Sequence, residues 1–197
     1  STPVLMASGG RDLLLSLGSK ALYAYEPRTG KEIWRVEEPS CHSGSTRPVT
    51  GHGLVFMPMG FGKSVLLAIR PDGTGDVTKT HVAWKHTRVV PTRSSVLLAG
   101  ELLMVVDDGG ILACLEAKTG ETVWKKRLGG NFSASPILAG GNIYFFDEEG
   151  KSTVIEAGRE FKIVAENKLD AGCMGSPAVS GNTLIVRTKT HLYAIRN

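Results

Sequence analysis

The sequence predicts an all-β chain, a β-propeller built from four-stranded antiparallel blades. Three observations carry that prediction: a motif that recurs about every 41 residues, a second marker on the same period, and strand-like runs separated by glycine turns. The motif is small-x-Glu-x-x-Thr-Gly-x-x-x-Trp, present as Ala24 to Trp34 and again as Cys114 to Trp124. A third copy runs from Ala68 to Trp84 with six extra residues, and a fourth leads from Glu156 to Ala165, where the tryptophan is lost. The second marker is Ser135-Pro136, repeated at Ser176-Pro177 and preceded by Ser94-Ser95 and Arg47-Pro48.

Each element follows from its residue types. In residues 134–169 the runs Ser135 to Ala139, Ile143 to Phe146, Ser152 to Glu156 and Phe161 to Leu169 are short and rich in β-branched and aromatic residues. None sustains a 3.6-residue period. Glycine makes up 24 of 197 residues, well above the usual ~7%, and much of it falls between these runs. The blades are expected at 1–39, 40–90, 91–130 and 131–172, with three strands of a fifth at 173–197, all in one domain. The fifth blade lacks its outer strand, and residues from Thr2 already read as the inner strand of the first. The ring is therefore expected not to close within this chain. Both ends are association liabilities: an unpaired strand at His191 to Arg196, and an uncovered face around Val4, Leu5 and Met6. A homo-oligomer formed through them is the expected consequence.

Composition narrows the function. The chain is 42% hydrophobic and 21% charged with a net charge of +4, an ordinary globular balance with no apolar run long enough for a membrane span. Cys41, Cys114 and Cys173 are odd in number and far apart, which excludes a disulfide framework and a Cys-x-x-Cys metal site. The five histidines show no ligand spacing, and no nucleophile elbow, Walker loop or dinucleotide fingerprint occurs. The basic run Lys125-Lys126-Arg127 falls on an outer strand and reads as a solvated edge, not a nucleic-acid site. The acidic runs Asp107-Asp108-Gly109-Gly110 and Asp147-Glu148-Glu149-Gly150 occupy equivalent positions in successive repeats, so they read as hairpin turns.

The Thr-Gly-x-x-x-Trp copies resemble the tryptophan-docking repeats of the pyrroloquinoline quinone (PQQ)-like β-propeller superfamily. Its members include quinoprotein alcohol dehydrogenases and a propeller lipoprotein of outer-membrane barrel assembly. The stretches Asp72 to Trp84 and Leu128 to Pro136 resemble exported bacterial proteins of this kind. The resemblance implies a propeller of seven or eight blades, of which this chain is the C-terminal part, and a periplasmic or secreted location. It also assigns the motif a structural role. Glu26 and Glu116 accept hydrogen bonds from the backbone of a turn in which Thr29-Gly30 and Thr119-Gly120 allow positive φ, while Trp34, Trp84 and Trp124 cover the neighbouring blade.

Quinoprotein dehydrogenases stack PQQ on a tryptophan, many of them against a disulfide between adjacent cysteines, and hold calcium through carboxylate and amide oxygens. This chain has no adjacent cysteines and no convincing ligand set. No catalytic residue, no metal and no cofactor are expected; PQQ with calcium belongs to the alternative reading, a quinoprotein-type oxidoreductase or its remnant. The leading reading is a non-catalytic propeller scaffold of an exported protein that binds a protein or small ligand. The loops entering each blade should meet at one mouth, bringing Arg47, Arg88, Arg93, Asn131, Phe132, Cys173 and Met174 together as an anion- or peptide-binding rim.

Overall fold

Short apolar strands joined by glycine turns fold back on themselves, because consecutive antiparallel strands close their ladders with the least chain. The computed structural model describes residues 1–42 and 44–196 and shows that outcome. Blade one comprises β1 (Val4–Ser8), β2 (Arg11–Leu17), β3 (Ala21–Tyr25) and β4 (Glu32–Glu37). Blade two comprises β5 (Val49–Gly51), β6 (Leu54–Met59), β7 (Val65–Ile69) and, after the short β8 (Gly75–Asp76), β9 (Val82–His86). Blade three is β10 (Leu97–Ala99), β11 (Leu102–Val106), β12 (Ile111–Glu116) and β13 (Thr122–Arg127). Blade four is β14 (Ile137–Ala139), β15 (Asn142–Phe146), β16 (Lys151–Glu156) and β17 (Ile163–Lys168). Blade five holds β18 (Ala178–Ser180), β19 (Thr183–Arg187) and β20 (Leu192–Arg196). The run Phe161 to Leu169, which alone could pass as a helix, contains strand β17.

The core lies between the blades. One face of each sheet packs on the next blade, so buried clusters join blades one and two, two and three, and three and four. The tryptophans close these contacts. Trp34 is fully buried and its indole N–H donates to the Pro71 carbonyl of the next blade at 2.9 Å. Trp84 donates to Ala117 at 3.0 Å, and Trp124 to Gly158 at 3.4 Å. Every complete blade has a register shift between its third and fourth strands, just past the residue paired with the tryptophan position: Ala24, Ala68, Cys114 and Val154. The bulge sharpens the twist there and turns the large side chain toward its neighbour.

The fourth interface is thinner. Ala165 stands at the tryptophan position opposite Val154. Four buried residues, Ala134, Phe146, Cys173 and Val186, form the cluster between blades four and five. A wedge of about 740 Å³ opens beside them, walled by Tyr144, Phe146, Leu184 and Ile195.

One expectation is revised. The uncovered side of blade one is not Val4, Leu5 and Met6 together, because successive strand residues face opposite ways. Val4 is buried and Met6 packs on the first core; Leu5, 65% exposed, shares the open face with Leu14 and Tyr25. The insertion in blade two lies along the edge of blade one. Its Gly75 and Asp76 run parallel to Trp34 and Arg35, so β8 becomes a fifth, outermost strand on blade one. Val77 donates its N–H to the Arg35 carbonyl and buries its side chain in the first core, and Glu37 N–H donates to the Thr78 hydroxyl.

Two outcomes test this packing. Trp34→Ala is expected to cost roughly 3–5 kcal/mol, the usual cost of removing a large buried aromatic, read as a lowered denaturant midpoint; an unchanged midpoint contradicts the docking role. Val77→Asp should release β8, so amide exchange along Trp34–Val36 accelerates while exchange in β15 and β16 stays unchanged.

Candidate functional site

The mouth is built by two sets of loops. Those entering a blade (residues 38–42 with 44–47, 87–95, 129–135 and 170–176) lie between turns that join a second strand to a third. The backbone fixes this arrangement. Lys20 N–H donates to Cys41 O at 2.6 Å and Phe61 N–H to Ser40 O at 3.4 Å, so turns of blades one and two flank one loop. In the same way Phe132 N–H donates to Asp108 O, Glu148 N–H to Asn131 O and Cys173 N–H to Asp147 O.

The serine marker stitches the inner rim. Arg47 N–H donates to the Ser95 hydroxyl at 2.8 Å, Ser95 N–H to Ser135 at 2.9 Å, and Ser135 N–H to Ser176 at 2.9 Å. Each serine thus satisfies a backbone donor of the preceding blade, where the sheet cannot. Sequence periodicity found these residues without revealing that they form a relay.

The acidic turns are consumed by their own fold. Asp107 accepts from Gly109 and Ile111 N–H, and Asp147 repeats the geometry with Glu149 and Lys151. Asp108 accepts from the Thr92 N–H at 2.9 Å and from the Thr92 hydroxyl. Glu148 accepts from the Ser133 hydroxyl and pairs with Arg93 at 3.0 Å. Among the described residues, no three His, Cys, Asp or Glu side chains converge in a way that could hold a metal ion.

The predicted rim is only partly present. Phe132 (3% exposed) and Cys173 (0%) lie beneath it, in the cores of the third and fourth interfaces. They anchor the loops and cannot touch a ligand at the surface. Arg93 is held by Glu148, and the Asn131 carbonyl is spent on the Glu148 N–H. Arg47 and Arg88 are exposed, and Met174 is 57% exposed. The sequence reading missed Phe61, 64% exposed on a turn between Gly60 and Gly62, whose positive φ values suit glycine. Its signal was available: in the turn where blades three and four carry acidic residues, blade two reads Gly-Phe-Gly-Lys-Ser.

The docking motif lies away from the mouth. Gly30 and Gly120 have φ of 71° and 73°. A Cβ on Gly120 would meet the Trp84 ring at 2.7 Å, so this glycine is also the floor on which the indole of blade two rests. Glu26 accepts from Arg28 N–H at 3.1 Å and Thr29 N–H at 2.7 Å, and Thr29 and Arg28 hold its carboxyl below the usual range. Glu116 departs from the expected pattern: its carboxylate pairs with Arg159 of the next blade and accepts from no turn N–H among the described residues. On the outer strand of blade three, Lys125 and Arg127 are exposed and Lys126 lies 5.8 Å over the Phe161 ring.

All three cysteines are free and buried. Burial pushes the Cys114 thiol up to about 11 and raises that of Cys173, which Asp147 and Asp170 raise further. Burial thus favours the protonated, unreactive form of Cys114 and Cys173. Near pH 9 an unfolded Cys114 ionises while the folded one does not, so stability present below that pH falls as pH rises toward 11. Native protein is expected to show no fast thiol reaction with a disulfide reagent at pH 8, and three thiols after unfolding. A rapid native equivalent would contradict this burial.

Among the described residues no helix is long and apolar enough to cross a membrane. Residues 18–197 match the family model described as outer membrane protein assembly factor BamB. The chain is 28% identical over 155 residues to the assembly factor BamB of Alkalilimnicola ehrlichii, covering 76% of this chain and 38% of that protein. Among solved structures, BamB from Moraxella catarrhalis superimposes with a TM-score of 0.71 at 16% identity, over 94% of this chain and 54% of that one. The computationally designed Ika8 protein gives the same TM-score at 8% identity, over 98% of this chain and 57% of its own. The chain therefore spans well under two thirds of the relatives it matches. With five sheets in an open arc, the first four docked by tryptophans of a recurring motif, and a family match across nine-tenths of its length, the chain belongs to the BamB family of PQQ-like β-propellers.

Proposed function

We propose that this chain is a non-catalytic propeller scaffold of the bacterial envelope that holds a protein partner at the loop-lined mouth, in the assembly of outer-membrane proteins. The carrying observation is the mouth itself. Its loops are cross-tied by the serine relay and by the Arg93–Glu148 and Thr92–Asp108 bridges, yet they present Phe61 and Met174 to solvent. A rigid frame that exposes large apolar side chains binds with little ordering cost, as a scaffold requires. The family match supplies the context: the matched relatives are named outer membrane protein assembly factors. A periplasmic location belongs to this reading, as does the absence of a PQQ or calcium requirement.

The test is site-specific photo-crosslinking in a bacterial host, with the photoreactive residue in place of Phe61 and, as a control, in place of Lys118 on the opposite face. Discrete adducts to outer-membrane precursors or assembly components from position 61 alone are expected. Equal adducts from both positions, or none, remove the mouth as the docking face. The catalytic alternative is tested separately: purified protein given PQQ, calcium and an alcohol should reduce dye no faster than a heat-killed sample. Sustained reduction overturns the non-catalytic reading.

A further inference from the structure

Charge at the mouth divides sharply between its two halves. The loops and turns of blades one and two, with the loop entering blade three (residues 18–20, 39–48, 60–64 and 87–94), contain no aspartate or glutamate. They carry Lys20, Arg47, Lys63, Arg88 and Arg93. Among the described residues Arg93 alone of these has a carboxylate partner, Glu148. Glu38, at the margin, is already taken by the Ser40 hydroxyl at 2.8 Å and by Lys85 at 3.5 Å. The other half holds six carboxylates at Asp107, Asp108, Asp147, Glu148, Glu149 and Asp170; the first four are engaged in the turn and loop contacts described above, and Asp170 accepts from the Tyr193 hydroxyl at 2.6 Å. Among the described residues Glu148, paired with Arg93, is the one acid of the mouth that reaches any of these cations.

The loops and turns that carry these cations are tied to one another. Ser40 joins the turn of blade two, its carbonyl accepting from Phe61 N–H and its hydroxyl, shared between Glu38 and Lys63 O, lying 3.0 Å from the latter. Ser45 donates from its hydroxyl to the Thr92 and Arg93 carbonyls. Phe61 is exposed on one of these turns.

Resting on the protein-docking reading above, we infer that the half-mouth formed by blades one and two binds an acidic, extended segment of a partner protein. An apolar side chain of that segment packs on Phe61, and its carboxylates meet Lys20, Arg47, Lys63 and Arg88. Charge complementarity selects an anion. Arginine's planar fork matches carboxylates in pairs, and one aromatic anchor among dispersed cations fits a peptide with alternating chemistry. A nucleic acid would call for a continuous basic stripe and several stacking aromatics; this surface has one aromatic and separate charges.

The probe is a short fluorescein-labelled peptide alternating aspartate with leucine and phenylalanine, followed by anisotropy against the full chain. Binding that weakens with salt, falls at least about tenfold in Phe61→Ala and falls in an Arg47→Gln/Arg88→Gln double variant is expected. Ile163→Ala, an exposed apolar change on an outer strand away from the mouth, should bind as wild type. An unchanged denaturation midpoint shows that Phe61→Ala still folds. Equal affinity for a peptide with lysine in place of aspartate overturns the inference. So does Phe61→Ala binding within about twofold of wild type, or capture by phosphatidylglycerol vesicles without peptide binding. A position-61 crosslink to an uncharged partner segment preserves the docking reading and removes the acidic-ligand assignment. Loss of both crosslink and peptide binding removes both.

Discussion

Everything in this molecule depends on one blade covering the next. A four-stranded sheet buries nothing alone, and each sheet here hides its apolar face only against its neighbour. In blades one to three the tryptophan of the fourth strand makes that contact specific, since it offers a large apolar ring and a single N–H that must reach a carbonyl when buried. Pro71, Ala117 and Gly158 supply those carbonyls from the turn of the following blade. At the other face the serine relay performs the matching task for backbone donors. The mouth is thus held by blades fixed to one another at both ends.

The fourth interface shows the effect of losing one member of the set. Alanine replaces tryptophan at position 165, and the buried cluster shrinks to four residues beside an open wedge. Docking strength is set blade by blade, not by the fold as a whole.

Most of the fold was legible because repetition amplifies weak signals. One run such as Phe161 to Leu169 is ambiguous; four runs at the same place in a repeat are not. The turn geometry at Glu26 was legible from residue types, whereas Glu116, in the same motif, turns to Arg159 because the next blade places a guanidinium within reach. The mouth was harder. Loop membership could be read from spacing, but inside or outside could not: Phe132 and Met174 occupy comparable loops, yet one is core and the other is solvent-facing. Phe61 escaped because the turn that carries it breaks the acidic pattern. The partnering of β8 with another blade lies outside what local pattern can show.

The bulge between third and fourth strands bears on how such a chain tolerates change. The insertion in blade two falls in the turn between those strands, yet Ala68 still pairs with Trp84 as Ala24 does with Trp34. Length added there leaves the pairing of Trp84 with Ala68 as it is. That turn is consequently a free port: new chain can enter it, lie along a neighbouring edge as β8 does, and reshape the outer rim while the spacing of the blades stays as it was.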